Sequence, residues 1–341
     1  MKKILFVYRS YKLKPSIKKK RQEAVINNFC NADFGFLLLT LKYNYHVDFI
    51  FGLEEAEDLI ISNYYDLIFI DIKEIYNNEK IITKSFFFKR EVNKNYLLFL
   101  KKKIKTDICF FSSSDGFLIN NPLIRDCMEI LEPKLIYFPN LLKDRDKYNI
   151  NNEYKYRLKS TFYGLGYLDI VYNFNSNTFS NFDLSIKKND LFFSGSVSNS
   201  LIRKEVVKFL NQDDFINLNI ICDLNKNLKK KIYIEKILSS KINLALSGNL
   251  NNITYRHNEI LFFKSLMLCN DVFLQFEISN FFTNPEYFCF NSNKELKDLI
   301  FFYLSNENKI IEMSFKLNKE FINFYCPIKQ SKIMNKDLFN V

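Results

Sequence analysis

The sequence predicts an α/β fold with two domains, each built around a parallel sheet. The chain has 341 residues, of which 48% are apolar and 26% charged. It is therefore globular and long enough for two domains of ordinary size. Short apolar runs recur along it, separated by segments in which apolar residues have helical spacing. These runs form two series, and a polar, Asn-rich stretch separates the series.

The first series predicts the strands of an N-terminal sheet. Short continuous apolar runs are typical of parallel strands that helices bury on both faces. The connecting segments, such as residues 22–43, are long enough for crossover helices, which predicts right-handed βαβ units. The runs are residues 4–8, 47–51, 67–70, 108–111 and 135–138.

The second series begins after the polar stretch at residues 173–181 and 187–190. Its runs are residues 191–193, 218–222, 242–246, 266–268 and 287–290. Apolar residues of segments 201–210 and 296–304 recur on one helical face. We predict two Rossmann-like domains facing a cleft, at residues 1–175 and 176–325, followed by a tail at 326–341.

Charge and cysteine content exclude several classes of protein. The net charge is +11, but nine basic residues and no acidic one lie within residues 1–22, so the rest is nearly neutral. Seven cysteines without a CxxC pair, and two histidines, favour neither a zinc site nor a disulfide scaffold. No apolar run approaches the length of a membrane helix. We expect a cytoplasmic protein with reduced thiols and no metal.

The loop after residues 191–193 is the first candidate site. Ligands of open α/β sheets bind beyond the carboxyl ends of strands. Ser194-Gly195-Ser196 leads into a helix that carries Arg203. Glycine lets backbone N–H groups approach an oxyanion, and the helix N-terminus favours negative charge. A plain strand-to-helix turn capped by serine explains the same residues.

The loop after residues 242–246 is the second candidate site. It contains Ser247 and leads to a helix that begins with Arg256, His257 and Glu259. Residues three apart share a helical face, where the arginine fork suits a diphosphate and the carboxylate suits vicinal ribose hydroxyls. His257 is a candidate to face the same ligand. The alternative is an ion pair between Arg256 and Glu259 within the helix.

Four stretches in the C-terminal half carry a family resemblance. They are "DLFFSGSVSNSLIRKEVVKFL", "YIEKILSSKINLALSGN", "YRHNEILFFKSLMLCNDVF" and "YFCFNSNKELKDLIFFYLSNE". Their order and spacing over roughly residues 185–325 resemble nucleotide-sugar-dependent glycosyltransferases of the GT-B architecture, especially CgeB-like (spore-maturation type) and exostosin-like domains. The N-terminal half resembles them only in general pattern.

The resemblance implies roles for particular residues. The third stretch resembles the family's R-x-x-E-(A/I)-L segment, which implies that Arg256 and Glu259 contact the nucleotide donor. Gly195 and Arg203 then lie on the phosphate side of the donor. Asn251 stands where many retaining relatives have a further Glu, which keeps an inactive member among the hypotheses.

In the N-terminal half, Asp115 lies in "FFSSSDGF" at the expected end of a strand. A carboxylate there suits a general base that acts on an acceptor hydroxyl. An Asp-Gly turn is the alternative. The basic residues of segment 9–21 favour weak contact with an acidic membrane at its inner face, or with an anionic acceptor, but a solvated helix start explains them too. His46 is interpreted as a satisfied structural or surface residue.

Our leading hypothesis is a glycosyltransferase that moves a sugar from a nucleotide-diphosphate sugar to a hydroxyl of a glycan or lipid-linked acceptor. It needs no metal and no cofactor beyond this co-substrate, because helix N-termini and Arg256 neutralise the leaving diphosphate. A role in cell-surface polysaccharide biosynthesis follows as an expectation. A basic nucleic-acid-associated protein and an inactive scaffold of the same fold are the alternatives, and nucleic acid is not the expected partner.

Overall fold

The computed structural model describes residues 1–8, 35–62, 64–72, 94–112, 121–139, 141–160, 187–198, 200–224, 228, 230–248, 253–324 and 326–339. Its contacts divide the chain into two compact units. The first unit comprises residues 1–169 and 330–341, and the second comprises residues 170–329. The predicted boundary near residue 175 lies outside the described residues.

The first unit is built on a parallel sheet of six strands in the order β2-β1-β3-β4-β5-β6. Strands β1 and β3 to β5 are buried along nearly their whole length, as expected of strands that helices cover on both faces. The strands are β1 (Lys3–Tyr8), β2 (His46–Phe51), β3 (Leu67–Asp71), β4 (Asp107–Phe111), β5 (Leu135–Phe138) and β6 (Leu158–Ser160).

Helices of the first unit lie between these strands and after the second unit. They are α1 (Gly35–Asn44), α2 (Leu53–Ile61), α3 (Lys94–Lys103), α4 (Pro122–Leu131), α5 (Asn152–Arg157) and α11 (Pro327–Phe339), which belongs to the first unit from residue 330 onward. Met334 and Leu338 of α11 pack in the core cluster that contains Phe6, Phe69 and Phe111. Residues 326–341, which the sequence analysis predicted as a tail, therefore form a helix for most of their length. The apolar side of this helix is part of the core of the first unit.

The second unit is built on a parallel sheet of five strands in the order β11-β10-β9-β7-β8. Its strands are β7 (Asn189–Ser194), β8 (Ile220–Asp223), β9 (Ser240–Ala245), β10 (Leu266–Asn270) and β11 (Cys289–Phe290). Its helices are α6 (Leu201–Leu210), α7 (Lys230–Leu238), α8 (Tyr255–Phe262), α9 (Asn293–Leu304) and α10 (Glu307–Phe324).

The two parallel α/β sheets confirm the predicted fold class, and all ten predicted apolar runs contribute to strands. The sequence missed β6, since three residues that include Lys159 and Ser160 form no apolar run. Within the described part of the chain, none of the helices combines the length and apolarity needed to cross a bilayer.

Candidate functional site

The candidate site lies at the point in the second sheet where the order of the strands reverses. The chain passes from β7 to β8 on one side and then to β9 on the other side of β7. Loops that follow β7 and β9 therefore diverge, and such a point is where open α/β sheets bind ligands. Gly195 and Ser247, which the sequence singled out, follow the ends of these two strands.

Gly195 lies against two guanidinium groups. A Cβ placed on it would be 3.2 Å from Cζ of Phe193, 3.4 Å from Cζ of Arg256 and 3.5 Å from Nη1 of Arg203. Its N–H donates to the carbonyl of Asp223, 2.9 Å away, and this bond ties the loop to the end of β8. The tight contact is the one to Phe193, whose ring would have to shift to admit a side chain here, whereas the two arginine distances are ordinary van der Waals contacts that place both guanidinium groups beside Gly195.

Arg203 joins the two loops at this edge. Its Nη1 donates to the carbonyl of Ser196 and its Nη2 to the carbonyl of Leu246, both at 3.1 Å. The side chain is buried, and burial together with the charge of Arg256 lowers the pKa of Arg203 to about 10. It therefore stays charged at neutral pH. The sequence predicted that Arg203 lies beside the phosphates of the donor. The two hydrogen bonds show that Arg203 also links the two loops.

Two of the three serines of the predicted site, Ser196 and Ser247, have local hydrogen-bond partners. Ser194 ends β7 and is buried, and the hydroxyls of Ser196 and Ser198 lie 2.8 Å apart. Ser247 is fully buried, and its hydroxyl accepts a hydrogen bond from Nδ2 of Asn270 at 3.3 Å. Asn270 also accepts from the backbone N–H of Ser247 at 2.9 Å. The sequence missed Asn270, although a polar residue at the end of a buried strand was the pattern that could have revealed it.

Arg256 lies in the first turn of α8 and is partly exposed. The predicted alternative, an ion pair with Glu259, is not formed, and within the described residues no carboxylate pairs with Arg256 or Arg203. The Nε atoms of both arginines are buried without a hydrogen-bond partner. Two positive groups therefore converge beside Gly195, and no carboxylate of the described residues is paired with either.

His257 is a neutral hydrogen-bonding group in this surrounding. The backbone N–H of Thr254 donates to its Nδ1 at 3.1 Å, which places the proton of the neutral ring on Nε2. Burial, and then the charges of Arg203 and Arg256, lower the pKa of His257 to about 3. The ring stacks on Phe273 with centroids 5.3 Å apart, and its buried Nε2 has no partner. His257 thus caps α8 and keeps one N–H donor uncommitted.

Glu259 faces a different neighbour from Arg256. Its Oε2 accepts a hydrogen bond from the hydroxyl of Tyr233 at 2.8 Å, and both side chains are buried. Tyr233 lies on α7. The sequence did not single it out, because a tyrosine among the apolar residues of a helix is typical of core packing.

Some predicted residues stay untested by this geometry. Asp115 and the basic segment 9–21 lie outside the described residues. Among the residues that are described, no group of three or more His, Cys, Asp or Glu side chains could hold a metal ion. The part of the site that can be described is a set of N–H donors and positive charges, which suits an anion rather than a cation.

No protein-family model matches this sequence, and no curated protein matches it either. Solved structures are similar over whole chains. The complex of T4 phage BGT with its UDP-glucose substrate is 13% identical, with a TM-score of 0.52, covering 99% of both chains. A DNA-modifying enzyme, β-glucosyltransferase, is 14% identical with a TM-score of 0.54, covering 98% of this chain and 99% of that one.

Anabaena Alr3699/HepE, solved in complex with UDP-glucose, is 10% identical with a TM-score of 0.54 and full coverage of both chains. These neighbours are glycosyltransferases of the GT-B architecture. At such identities the likeness establishes the fold. The chain therefore shares the two Rossmann-like domains of this architecture, as the sequence predicted.

Proposed function

We propose that the protein is a glycosyltransferase that moves a sugar from a nucleotide-diphosphate sugar to a hydroxyl acceptor. The observation that carries the proposal is the convergence of Arg203 and Arg256 on Gly195 at the sheet reversal, without a carboxylate among the described residues to neutralise them. A diphosphate supplies the missing negative charge. The fold shared with proteins solved with UDP-glucose supports the same ligand class.

The proposed reaction uses these charges on the leaving group. The acceptor oxygen forms a bond to the anomeric carbon of the sugar while the bond from that carbon to the diphosphate oxygen breaks. The diphosphate leaves with the electron pair. The guanidinium of Arg256 and the ring Nε2–H of His257 stabilise the added charge. Because fixed positive groups do this work, we propose that the transfer needs no metal.

Glu259 is proposed to bind the ribose of the donor. A carboxylate accepts hydrogen bonds from the two vicinal hydroxyls, and Glu259 lies one helical turn from Arg256. The first unit is proposed to bind the acceptor, with Asp115 as the base that takes its proton. Asp71 at the end of β3 is a poor candidate for that base, since it has 0% exposure and cannot meet an acceptor.

The acceptor class rests on the sequence alone. We propose a glycan or lipid-linked acceptor of the cell surface, used on the cytoplasmic side of a membrane, in line with the resemblance to CgeB-like and exostosin-like domains. DNA is the second candidate, since residues 1–22 are strongly basic and one solved neighbour is a DNA-modifying enzyme. A transfer assay with both acceptors at two salt concentrations separates them, because phosphate contacts weaken steeply with salt.

Arg256→Ala is the direct test of the donor site. Hydrogen bonds to charged groups contribute about 1.5–3 kcal/mol each, so we expect UDP affinity to fall roughly 10- to 100-fold. Calorimetry with UDP measures this, and the unfolding midpoint shows that the variant is folded. The control is Arg125→Ala in the first unit, which removes a partly exposed arginine bonded to the carbonyl of Asn149.

Unchanged UDP affinity in Arg256→Ala would refute the assignment of this arginine. If the unmodified protein binds none of UDP, GDP, CMP and dTDP in a thermal-shift screen, the proposed function fails as a whole. Binding without release of UDP from UDP-glucose, across a panel of acceptors, would favour the inactive scaffold.

A further inference from the structure

The hydrogen bond between Tyr233 and Glu259 joins α7 to α8, the helix whose first turn carries Arg256 of the candidate donor site. Its length is 2.8 Å, and the exposed fractions of the two residues are 7% and 6%. A buried bond to a carboxylate is shorter and stronger than a neutral one. It therefore fixes the orientation of Glu259 more firmly than rotamer preference alone.

The elements that hold Tyr233 are rigid parts of the fold. Its ring packs on Phe192 of β7, with centroids 6.1 Å apart. Helix α7 packs on β7 and β9, the two strands whose ends carry the site loops. The hydroxyl of Tyr233 is thus placed relative to Gly195 and Ser247 by the sheet itself.

We infer that Tyr233 is a positioning residue that orients the Glu259 carboxylate for the hydroxyls of a ribose, so that the site selects ribonucleoside diphosphates over their deoxy analogues. The inference rests on the proposed function. A carboxylate has about four acceptor positions, so the bond from Tyr233 at Oε2 is compatible with further bonds from a ligand. A carboxylate held in one orientation discriminates more strongly between a ligand that carries the hydroxyl and an analogue that lacks it.

A purely structural role for this bond predicts a different result. If Tyr233 only satisfies a buried carboxylate, removing its hydroxyl lowers stability and weakens all nucleotides equally. If it positions the carboxylate, removal weakens the ribonucleotide more than the deoxynucleotides. The ratio of the two affinities is therefore the informative measurement.

The experiment compares the dissociation constants of UDP, 2′-deoxy-UDP and 3′-deoxy-UDP by calorimetry. We expect the unmodified protein to prefer UDP by about tenfold or more over at least one deoxy analogue. Tyr233→Phe should reduce that preference at least about threefold, and Glu259→Gln should reduce it further. Tyr233→Phe added to Glu259→Gln should have no additional effect on the ratio, as expected of residues that act as one unit.

Tyr303→Phe is the matched control in the same unit. Its buried hydroxyl donates to the carbonyl of Tyr287 at 2.7 Å, so the variant also loses one hydroxyl and one hydrogen bond. It should leave the preference unchanged. If Tyr233→Phe prefers UDP over the deoxy analogues as strongly as the unmodified protein does, the inference is overturned. If the unmodified protein does not bind UDP at all, the proposed function is overturned instead.

Discussion

The carboxyl edges of the two sheets have the same strand order and differ in the side chains that the structure describes there. In both sheets the first strand lies between the second and the third, in the orders β2-β1-β3 and β8-β7-β9. Where the strand order of the second sheet reverses, the guanidinium groups of Arg203 and Arg256 lie beside Gly195. Where the first sheet reverses, Tyr8 ends β1 and the fully buried Asp71 ends β3.

This difference shows that the topology supplies a binding edge and the side chains decide its use. At the second edge, Arg256 is partly exposed and its charge is available to a ligand. At the first edge, the described charge is a carboxylate with 0% exposure, which can act only on its protein neighbours. Substitutions at the two edges should therefore separate stability from binding.

Asp71→Ala should give the largest effect on stability. A fully buried carboxylate is held by hydrogen bonds or charges, and its removal leaves those groups unsatisfied, at a cost of about 3 kcal/mol in the free energy of unfolding. UDP affinity should not change. Urea unfolding and calorimetry measure the two quantities. The control is Asp58→Ala on the exposed side of α2, which should change stability by less than about 0.5 kcal/mol.

If Asp71→Ala weakened UDP binding while the protein remained folded, the claim that only the second edge binds UDP would be refuted. The first edge would then contribute to the donor site, and the assignment of donor and acceptor to separate units would be wrong.

Arg203→Met should affect both stability and binding. The substitution removes the bonds to the carbonyls of Ser196 and Leu246, while relief of repulsion with Arg256 offsets part of the loss. We expect the free energy of unfolding to fall by about 2 kcal/mol and UDP affinity to fall roughly tenfold. Arg203→Lys should not restore either, because an ammonium cannot bridge two carbonyls as the planar fork does.

The same two measurements on Arg256→Met sharpen the contrast. That variant should lose affinity with little change in stability, since Arg256 has no hydrogen-bond or ion-pair partner within the described residues. Equal stability losses in the two variants would show that both arginines are structural.

The sequence predicted the fold and the site loops because both depend on local patterns. Continuous apolar runs located the buried strands, and the small residues after β7 and β9 located the loops. It missed β6 because that strand is short and half polar, so only its pairing with β5 defines it. The apolar face of α11 was missed since it is apparent only against the core of the first unit.

The roles within the site depended on contacts between distant residues. Arg203 is 43 residues from Leu246, and Tyr233 is 26 residues from Glu259. No spacing in the sequence reports such a pair. The sequence assigned Arg203 and Glu259 to one predicted donor site. The carbonyls that hold Arg203 and the hydroxyl that bonds Glu259 depend instead on the packing of α6, α7 and α8 on the sheet.

His257 should affect stability only in acid. Its pKa is about 3 in the fold and about 6.5 when the chain is unfolded, so between these values the unfolded chain binds a proton that the fold does not. Stability should therefore fall as the pH falls below about 6.5, by at most about 1.4 kcal/mol per pH unit. In His257→Asn, which keeps an acceptor for the N–H of Thr254, this part of the slope should disappear.

Urea unfolding at pH 7, 6 and 5 measures that slope, and the exposed His46 provides the control, because His46→Asn should leave the contribution of His257 in place. The result bears directly on the contrast between the edges. If His257→Asn has the same slope as the unmodified protein, the buried ring gains its proton as readily in the fold as in the unfolded chain. Below about pH 6.5 a third positive charge would then join Arg203 and Arg256, and His257 would be a neutral donor only above that pH.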